Sequence, residues 1–438
     1  MKAILIPVHF KSGMDDEYKK YLDLLKDILK DVAEFRDPSP IGDIPPGADA
    51  AVFPQLIGDA YKQVGELKKA GLPMLALTSD FGTVNMWDWE IVSFLKSEGV
   101  ELLAPYNVDL TKKICRSLAL KRDLRRTKFL LFQDNPGEGM QGEIFKRFFW
   151  WEDLCKERMK KKFGVSLVMK SFKKLGEEAG GIPDGEARKV LEGWEIPAED
   201  VTEKALFSAL KIYIALKREV ESDPAIKGAG MNCLNESFYS DTTPCLAWNM
   251  LFEEKCLIWA CEADIMTLMT KYLIQKSLDV PIMMSNIYPF LMGQAALKHE
   301  KIDDFPDVDE PENHLLVVHC GYLGVVPQSF ASSWTLRPKV LGIVNDNATA
   351  IDARLPEGPV TLAKLDPTLT KLQVVEGKIE GYRQYPGSDC RNGAVIKVSD
   401  GYRLMHRFYS HHNLIITGRR MDELRFMAEV FGLDIEEV

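Results

Sequence analysis

A continuous apolar run ends in two carboxylates one residue apart, a little past the middle of the chain. Residues 257–261 are all apolar, Glu262 and Asp264 follow, and a helical pattern begins at Ile265. A strand buried on both faces has such an unbroken apolar run. Ligands of open α/β sheets bind beyond the carboxyl ends of the strands. The run therefore predicts a buried strand that delivers both carboxylates to a ligand-binding edge.

Strand-like runs alternate with helical patterns before this point. The strand-like runs at residues 3–8, 50–53 and 72–78 are separated by helical patterns, and a further run at 129–132 indicates a second series. Strands that alternate with helices predict parallel sheets. After about residue 345, Pro and Gly become frequent and short β-type runs appear, which indicates a β-rich region.

These patterns predict an α/β protein of three domains. We expect two Rossmann-like α/β domains followed by a C-terminal domain with a β-barrel-like portion. The predicted boundaries are residues 1–126 for the first domain, 127–274 for the second, which carries Glu262, and 275–438 for the third, which carries His412.

Charge and cysteine usage exclude several classes of protein. The net charge is −10 and no long Lys/Arg run stands out, so we expect no nucleic-acid or membrane partner. No run of about 18 apolar residues is present to span a bilayer. The eight cysteines form no CxxC pair, which predicts neither a disulfide framework nor a zinc site. We therefore expect a protein of the reducing cytoplasm.

Two further segments carry an unusual composition. Residues 136–142 hold three glycines between a strand and a helix, but not at the spacing of a nucleotide-binding motif. They predict a flexible connection, with a phosphate-binding turn as the alternative. Residues 145–163 predict one helix with an aromatic face. Trp87 lies in a loop, and two roles are open for it. It either packs at a helix start or forms an aromatic wall for a ligand that is bound by a neighbouring subunit.

Polar residues able to bind a ligand follow three successive apolar runs. Glu262 ends the first, Asn286 follows the run at residues 280–284, and His319 follows the run at 315–318. A carboxylate, an amide and an imidazole suit Mn²⁺, Mg²⁺ or Co²⁺ better than a thiolate-bound metal. The alternative for Glu262 and Asp264 is a structural one, in which they cap the following helix and interact with its dipole.

From about residue 228 onward, the chain resembles the L-fucose isomerase / L-arabinose isomerase superfamily. The resemblance is carried by Ala260-Cys261-Glu262-Ala263-Asp264, the Asn286 region, Val318-His319-Cys320-Gly321, Gly358-Pro359-Val360-Thr361-Leu362, and His411-His412-Asn413-Leu414-Ile415-Ile416-Thr417-Gly418.

The resemblance implies a ligand set for a divalent metal, Mn²⁺ first of all. It implies Glu262, Asn286 and His412 as metal ligands. Adjacent strand residues point to opposite faces, so only one of His411 and His412 is expected to face the site. The resemblance also implies Glu262 and Asp264 as catalytic residues. Contacts to the substrate are implied for Asn232, His319 and Trp87.

The implied activity is an aldose–ketose isomerisation of an unphosphorylated sugar through an enediol intermediate. Asn286 stands where the superfamily has an Asp, and an amide cannot accept and return a proton as a carboxylate does. The alternative is therefore a homologue that kept the fold and binds a sugar without turnover, or with an altered activity. A homo-oligomer, trimer or hexamer, is the implied assembly.

Overall fold

The computed structural model describes residues 2–56, 60–290, 298, 308–385 and 388–438, and those residues form a mixed α/β fold. The strands are β1 (Ala3–His9), β2 (Ala33–Phe35), β3 (Ser39–Pro40), β4 (Ala50–Phe53), β5 (Met74–Ala76), β6 (Leu102–Leu103), β7 (Lys128–Phe132), β8 (Ser166–Lys170), β9 (Ile226–Met231), β10 (Ile258–Cys261), β11 (Ile282–Pro289), β12 (His314–Val317), β13 (Ser333–Pro338), β14 (Thr349–Arg354), β15 (Gly358–Leu365), β16 (Lys371–Arg383), β17 (Gly393–Lys397), β18 (His412–Thr417) and β19 (Asp434–Glu437).

The α-helices are α1 (Asp16–Ile28), α2 (Val64–Lys69), α3 (Trp89–Ser97), α4 (Val108–Asp123), α5 (Phe145–Phe148), α6 (Asp153–Phe163), α7 (Phe172–Gly180), α8 (Asp184–Leu191), α9 (Glu203–Glu221), α10 (Cys233–Glu236), α11 (Cys245–Lys255), α12 (Ile265–Leu278), α13 (Gly401–Arg407) and α14 (Met421–Phe431). Short 3₁₀ turns lie at Ala60–Gln63, Met86–Asp88, Leu124–Arg126, Ser237–Tyr239, Pro311–Asn313 and Gln328–Phe330. Within the described ranges, no helix combines the length and the apolar character needed to cross a bilayer.

The chain forms two compact units. The first comprises Met1–Leu124, Lys276–Asp279 and Asp422–Asp434, and the second Arg125–Gln275, Val280–Met421 and Ile435–Val438.

The first unit is built on a parallel sheet covered on both faces. The strand order is β2-β1-β4-β5-β6, with β3 also paired to β1. Alternate residues of the same strands enter two separate apolar clusters: Leu5, Val52 and Leu75 in one, and Ile6, Ala51 and Met74 in the other. Burial on both faces explains why these strands appear as unbroken apolar runs in the sequence.

The second unit contains a parallel sheet and a closed antiparallel barrel. The sheet has the order β10-β9-β7-β8. The barrel strands follow the order β15-β18-β11-β12-β17-β16, and pairing of β15 with β16 closes the ring of six. The antiparallel pair β13 and β14 forms a separate ribbon.

The predicted mixed α/β fold with parallel sheets and a β-barrel is confirmed, whereas its division into two Rossmann-like domains and a third domain stays a prediction. The prediction of one helix over residues 145–163 is wrong. The segment forms α5 and α6, separated at Trp150, whose φ of 64° cannot continue a right-handed helix.

Candidate metal centre

Glu262 is presented by a tight turn at the end of β10. Glu262 and Ala263 have φ of 57° and 52°, and the Asp264 N–H donates to the Cys261 carbonyl at 3.1 Å, which defines a type I′ turn. Left-handed backbone costs a residue with a β-carbon about 1–2 kcal/mol. The turn is held in part by a 3.0 Å hydrogen bond from the Ala263 N–H to the Met231 carbonyl at the end of β9.

His412 is presented by the barrel, at the first position of β18. The register places it directly opposite Asn286 of β11, and opposite residues on paired strands share a face of the sheet. The His412 side chain is fully buried, and its ring stacks on that of Phe149 with centroids 4.7 Å apart. His411, by contrast, is exposed. The barrel therefore brings an imidazole and an amide together.

A second type I′ turn presents His319. The His319 N–H donates to the Tyr322 carbonyl at 2.5 Å, and the two residues between them, Cys320 and Gly321, have φ of 54° and 92°. A β-carbon on Gly321 would lie 2.6 Å from Cγ2 of Val340, so only glycine fits there. His319 is buried.

Glu262, His319 and His412 form a group that could hold a metal ion. Each offers one ligand atom, and these atoms all lie within 4.8 Å of one another. One carboxylate and two imidazoles suit several divalent cations, so the donor set does not select one metal.

Unsatisfied atoms in this group, and on Asn286 opposite His412 in the strand register, fit a bound cation. Nε2 of His319 and Oδ1 of Asn286 are buried and have no hydrogen-bond partner. Nε2 of His412 lies 3.4 Å from Oε1 of Glu262 but makes no hydrogen bond. Buried polar atoms are normally paired, and a metal ion would satisfy several of these atoms at once.

Burial and charge act in opposite directions on the ionisable groups. Burial raises the pKa of Glu262, but the positive charge of His412 outweighs it and lowers the pKa to about 2. Burial lowers the pKa of His412, while Glu262 and the hydrogen-bonded Asp264 raise it to about 9. Burial lowers the pKa of His319 to about 4. At neutral pH the metal-free centre therefore holds an anionic Glu262, a cationic His412 and a neutral His319.

Asp264 contacts His412 and also caps a helix. Its Oδ1 accepts the Thr267 N–H at 2.8 Å in the first turn of α12, as the structural alternative predicts. Its Oδ2 lies 2.9 Å from Nδ1 of His412.

The glycine-containing segment 136–142 reaches Glu262. Nε2 of Gln141 donates to Oε2 of Glu262 at 2.6 Å, and the Gln141 side chain is buried. Asn235 holds the segment from the other side, since its side chain accepts the Met140 N–H at 3.1 Å and donates to the Glu138 carbonyl at 2.9 Å. Side-chain hydrogen bonds thus hold the segment at Glu138, Met140 and Gln141.

The centre adjoins a cavity of about 40 Å³, which has room for a few water molecules. Glu262 and His319 form part of its wall, together with four of the chain's cysteines and aliphatic side chains. The four cysteines are Cys233, Cys245, Cys261 and Cys320.

Asn232 and Trp87 are the other two predicted substrate contacts, and that role stays a prediction for both. Asn232 is fully buried and donates to Glu236 at 3.2 Å, while its neighbours Cys233 and Leu234 line the cavity. Trp87 belongs to the first unit, and the residue is 78% exposed. Its contact with a neighbouring subunit stays a prediction.

Comparison of the chain with models of protein families gave no match, and comparison with curated proteins gave none.

Proposed function

We propose that the protein is a divalent-metal-dependent aldose–ketose isomerase of the L-fucose isomerase / L-arabinose isomerase superfamily, acting on an unphosphorylated sugar. The observation that carries the proposal is the convergence of Glu262, His319 and His412. Asn286, whose Oδ1 is unpaired, lies opposite His412 in the strand register. Three of these four residues follow apolar runs in the sequence, and all four lie in segments that resemble the superfamily. The resemblance also favours two Rossmann-like domains and a trimer or hexamer, and the cysteine usage favours a cytoplasmic location.

Glu262 is the group that moves the proton in this proposal. A bound Mn²⁺ would polarise the sugar oxygens, which makes the proton on the carbon next to the carbonyl more acidic. Glu262 takes that proton and returns it to the former carbonyl carbon of the enediol, while the hydroxyl proton of the first carbon passes to the former carbonyl oxygen. Gln141 holds one carboxylate oxygen and thereby fixes the direction of the other. His319 and Asn286 offer polar atoms to the metal or to sugar hydroxyls.

The second candidate is a sugar-binding homologue without turnover. It is favoured by Asn286, which cannot relay a proton. It is also favoured by Asp264, whose two oxygens are both engaged in hydrogen bonds. Glu262 then remains as the one acid–base carboxylate among these residues.

A screen of free aldoses with Mn²⁺, with ketose formation as the readout, separates the two candidates. The isomerase proposal expects turnover that is lost in Glu262→Gln, because the amide cannot carry the proton. Thermal stabilisation by a sugar, without conversion of any aldose, would instead support the binding protein and overturn the isomerase.

Adjacent histidines provide a matched control for the metal. His412→Gln should lose Mn²⁺ binding, whereas His411→Gln should keep it, since His411 is exposed and lies outside the ligand group. Equal Mn²⁺ affinity in both variants would contradict the proposed centre.

A further inference from the structure

Both oxygens of the Asp264 carboxylate are fully engaged within the protein. Oδ1 accepts the Thr267 N–H at 2.8 Å, and Oδ2 accepts the Thr267 hydroxyl at 2.7 Å. Oδ2 also contacts Nδ1 of His412 at 2.9 Å and Nζ of Lys364 at 3.3 Å. The Asp264 side chain has no exposed surface. A carboxylate with these partners and no exposed surface is not accessible to a sugar.

Lys364 is the buried counter-ion of this carboxylate. It lies on β15, and its side chain is 2% exposed. Its ammonium donates to the Thr267 hydroxyl as well as to Asp264. Burial of an ion pair requires that both charges keep their hydrogen bonds, and Thr267 completes that set.

The contact with His412 lies on the ring edge away from the metal-ligand group. A neutral imidazole carries its proton on one nitrogen, and the partner of that nitrogen decides which one it is. Asp264 at Nδ1 keeps the proton there, so Nε2 is the atom left to ligate. A ligating histidine commonly donates its other ring N–H to such a group.

We propose that Asp264, backed by Lys364, is a positioning residue that fixes the ring orientation and tautomer of His412 for metal ligation. This role rests on the metal centre of the proposed function and replaces a direct part for Asp264 in proton transfer. Loss of the carboxylate should raise the Kd for Mn²⁺ by about 10- to 100-fold, the usual effect of removing such a partner.

Three variants separate positioning from stability. Asp264→Asn replaces one acceptor oxygen with an NH2 donor and removes the negative charge, which leaves the Lys364 charge buried and unpaired, so its Tm should fall. Asp264→Asn/Lys364→Met removes both charges, so it should regain much of the lost Tm and yet keep the raised Kd. Lys271→Met is the control, because Lys271 is equally buried but stacks on Trp259, and its Kd should equal that of the wild type.

The measurements are the Kd for Mn²⁺ by calorimetry, the Tm of the metal-free proteins, and the ¹⁵N shifts of His412 with diamagnetic Zn²⁺ bound. In the wild type the ¹⁵N shifts should show the proton on Nδ1, and in the double variant a mixture of tautomers. A folded double variant with the wild-type Kd and the wild-type tautomer would overturn the positioning role.

The outcomes also separate this role from the proposed function. Wild-type protein that binds Mn²⁺ but converts no aldose would overturn the isomerase and leave the positioning role intact. Wild-type protein that binds no Mn²⁺ would overturn both. An altered kcat with an unaltered Kd for Mn²⁺ in the double variant would contradict the positioning role and support a direct role of Asp264 in proton transfer.

Discussion

His412 must lose a proton before it can ligate a metal. Its pKa is raised to about 9 by Glu262 and Asp264 despite burial, so at pH 7.5 the metal-free ring is a cation. Metal binding at that pH should therefore release about one proton. The affinity for Mn²⁺ should fall about tenfold for each pH unit below 9.

Calorimetry in two buffers of different ionisation enthalpy measures the released proton directly. His411→Gln should release the same number of protons as the wild type. An Mn²⁺ affinity that does not change between pH 9 and pH 7 would contradict the raised pKa of His412.

Lys271 is buried in the core and forms no ion pair with a described carboxylate. Its ammonium lies 3.3 Å from the ring centroid of Trp259 and 3.4 Å from the Trp259 carbonyl oxygen, and burial lowers its pKa to about 7. The unfolded chain then binds more protons than the folded protein between pH 7 and about 10.5. The free energy of unfolding should rise with pH in that window, by at most about 1.4 kcal/mol per unit.

Lys271→Met removes this dependence and fills the same space. The variant should be more stable than the wild type at pH 7, and its advantage should shrink as the pH rises to 10. Denaturant unfolding at both pH values tests this, and an advantage that grows with pH would contradict it.

Residues next to an apolar run can be recognised in the sequence as candidate ligands, whereas isolated residues cannot. Glu262 and His319 follow such runs, and His412 precedes one, so their types and positions suggest ligands. Gln141 and Lys364 have no comparable signal in the sequence. Gln141 contacts Glu262, 121 positions away, and Lys364 contacts Asp264, 100 positions away. Only the folded sheet and barrel show that they converge.

At the scale of elements, two type I′ turns deliver Glu262 and His319. The sequence does not predict the first turn, because Glu and Ala rarely adopt left-handed backbone. The sequence partly predicts the second turn, since Gly321 has the larger φ of the two central residues. A hydrogen bond from the Ala263 N–H to the Met231 carbonyl at the end of β9 helps to stabilise the strained backbone of the first turn. No local sequence pattern predicts this contact.

The segment that carries Gln141 depends on Gly139. Gly139 has φ of 68°, and a β-carbon there would lie 2.4 Å from Oδ1 of Asn235. Gly139→Ala should displace the segment, lengthen the Gln141–Glu262 contact and raise the Kd for Mn²⁺ several-fold.

Gly142→Ala is the matched control, because no atom lies within 4 Å of its added β-carbon and its φ is not positive. That variant should bind Mn²⁺ as the wild type does. The dependence on Gly139 would be refuted if both variants bound Mn²⁺ with the wild-type Kd.

At the scale of the whole molecule, the candidate ligands all lie in the second unit. A ligand at 100 times its Kd stabilises the folded form by about 2.7 kcal/mol. In hydrogen exchange, saturating Mn²⁺ should therefore slow amides of β10, β11 and β18 most. Amides of β1 and β4 serve as the internal control. Equal protection of both sets, or protection confined to β1 and β4, would contradict the assignment.

The sequence predicts the types of sheet in the fold but not the order of their strands. Alternating strand and helix patterns are local, so they predict the parallel sheets. Closure of the barrel requires β15 to pair with both β16 and β18, and those pairings depend on tertiary packing. The prediction of a β-barrel-like portion is accordingly correct, while the strand order had to come from the structure.

Closure of the barrel also sets when the centre can form during folding. The contact between Asp264 and His412 joins residues 148 positions apart, and such distant pairings cost loop-closure entropy and form late. When the parallel sheet has folded but the barrel is still open, Glu262 is in place and His412 is not yet next to it. We expect metal uptake to follow tertiary folding rather than to guide it, so refolding should proceed at the same rate with and without Mn²⁺.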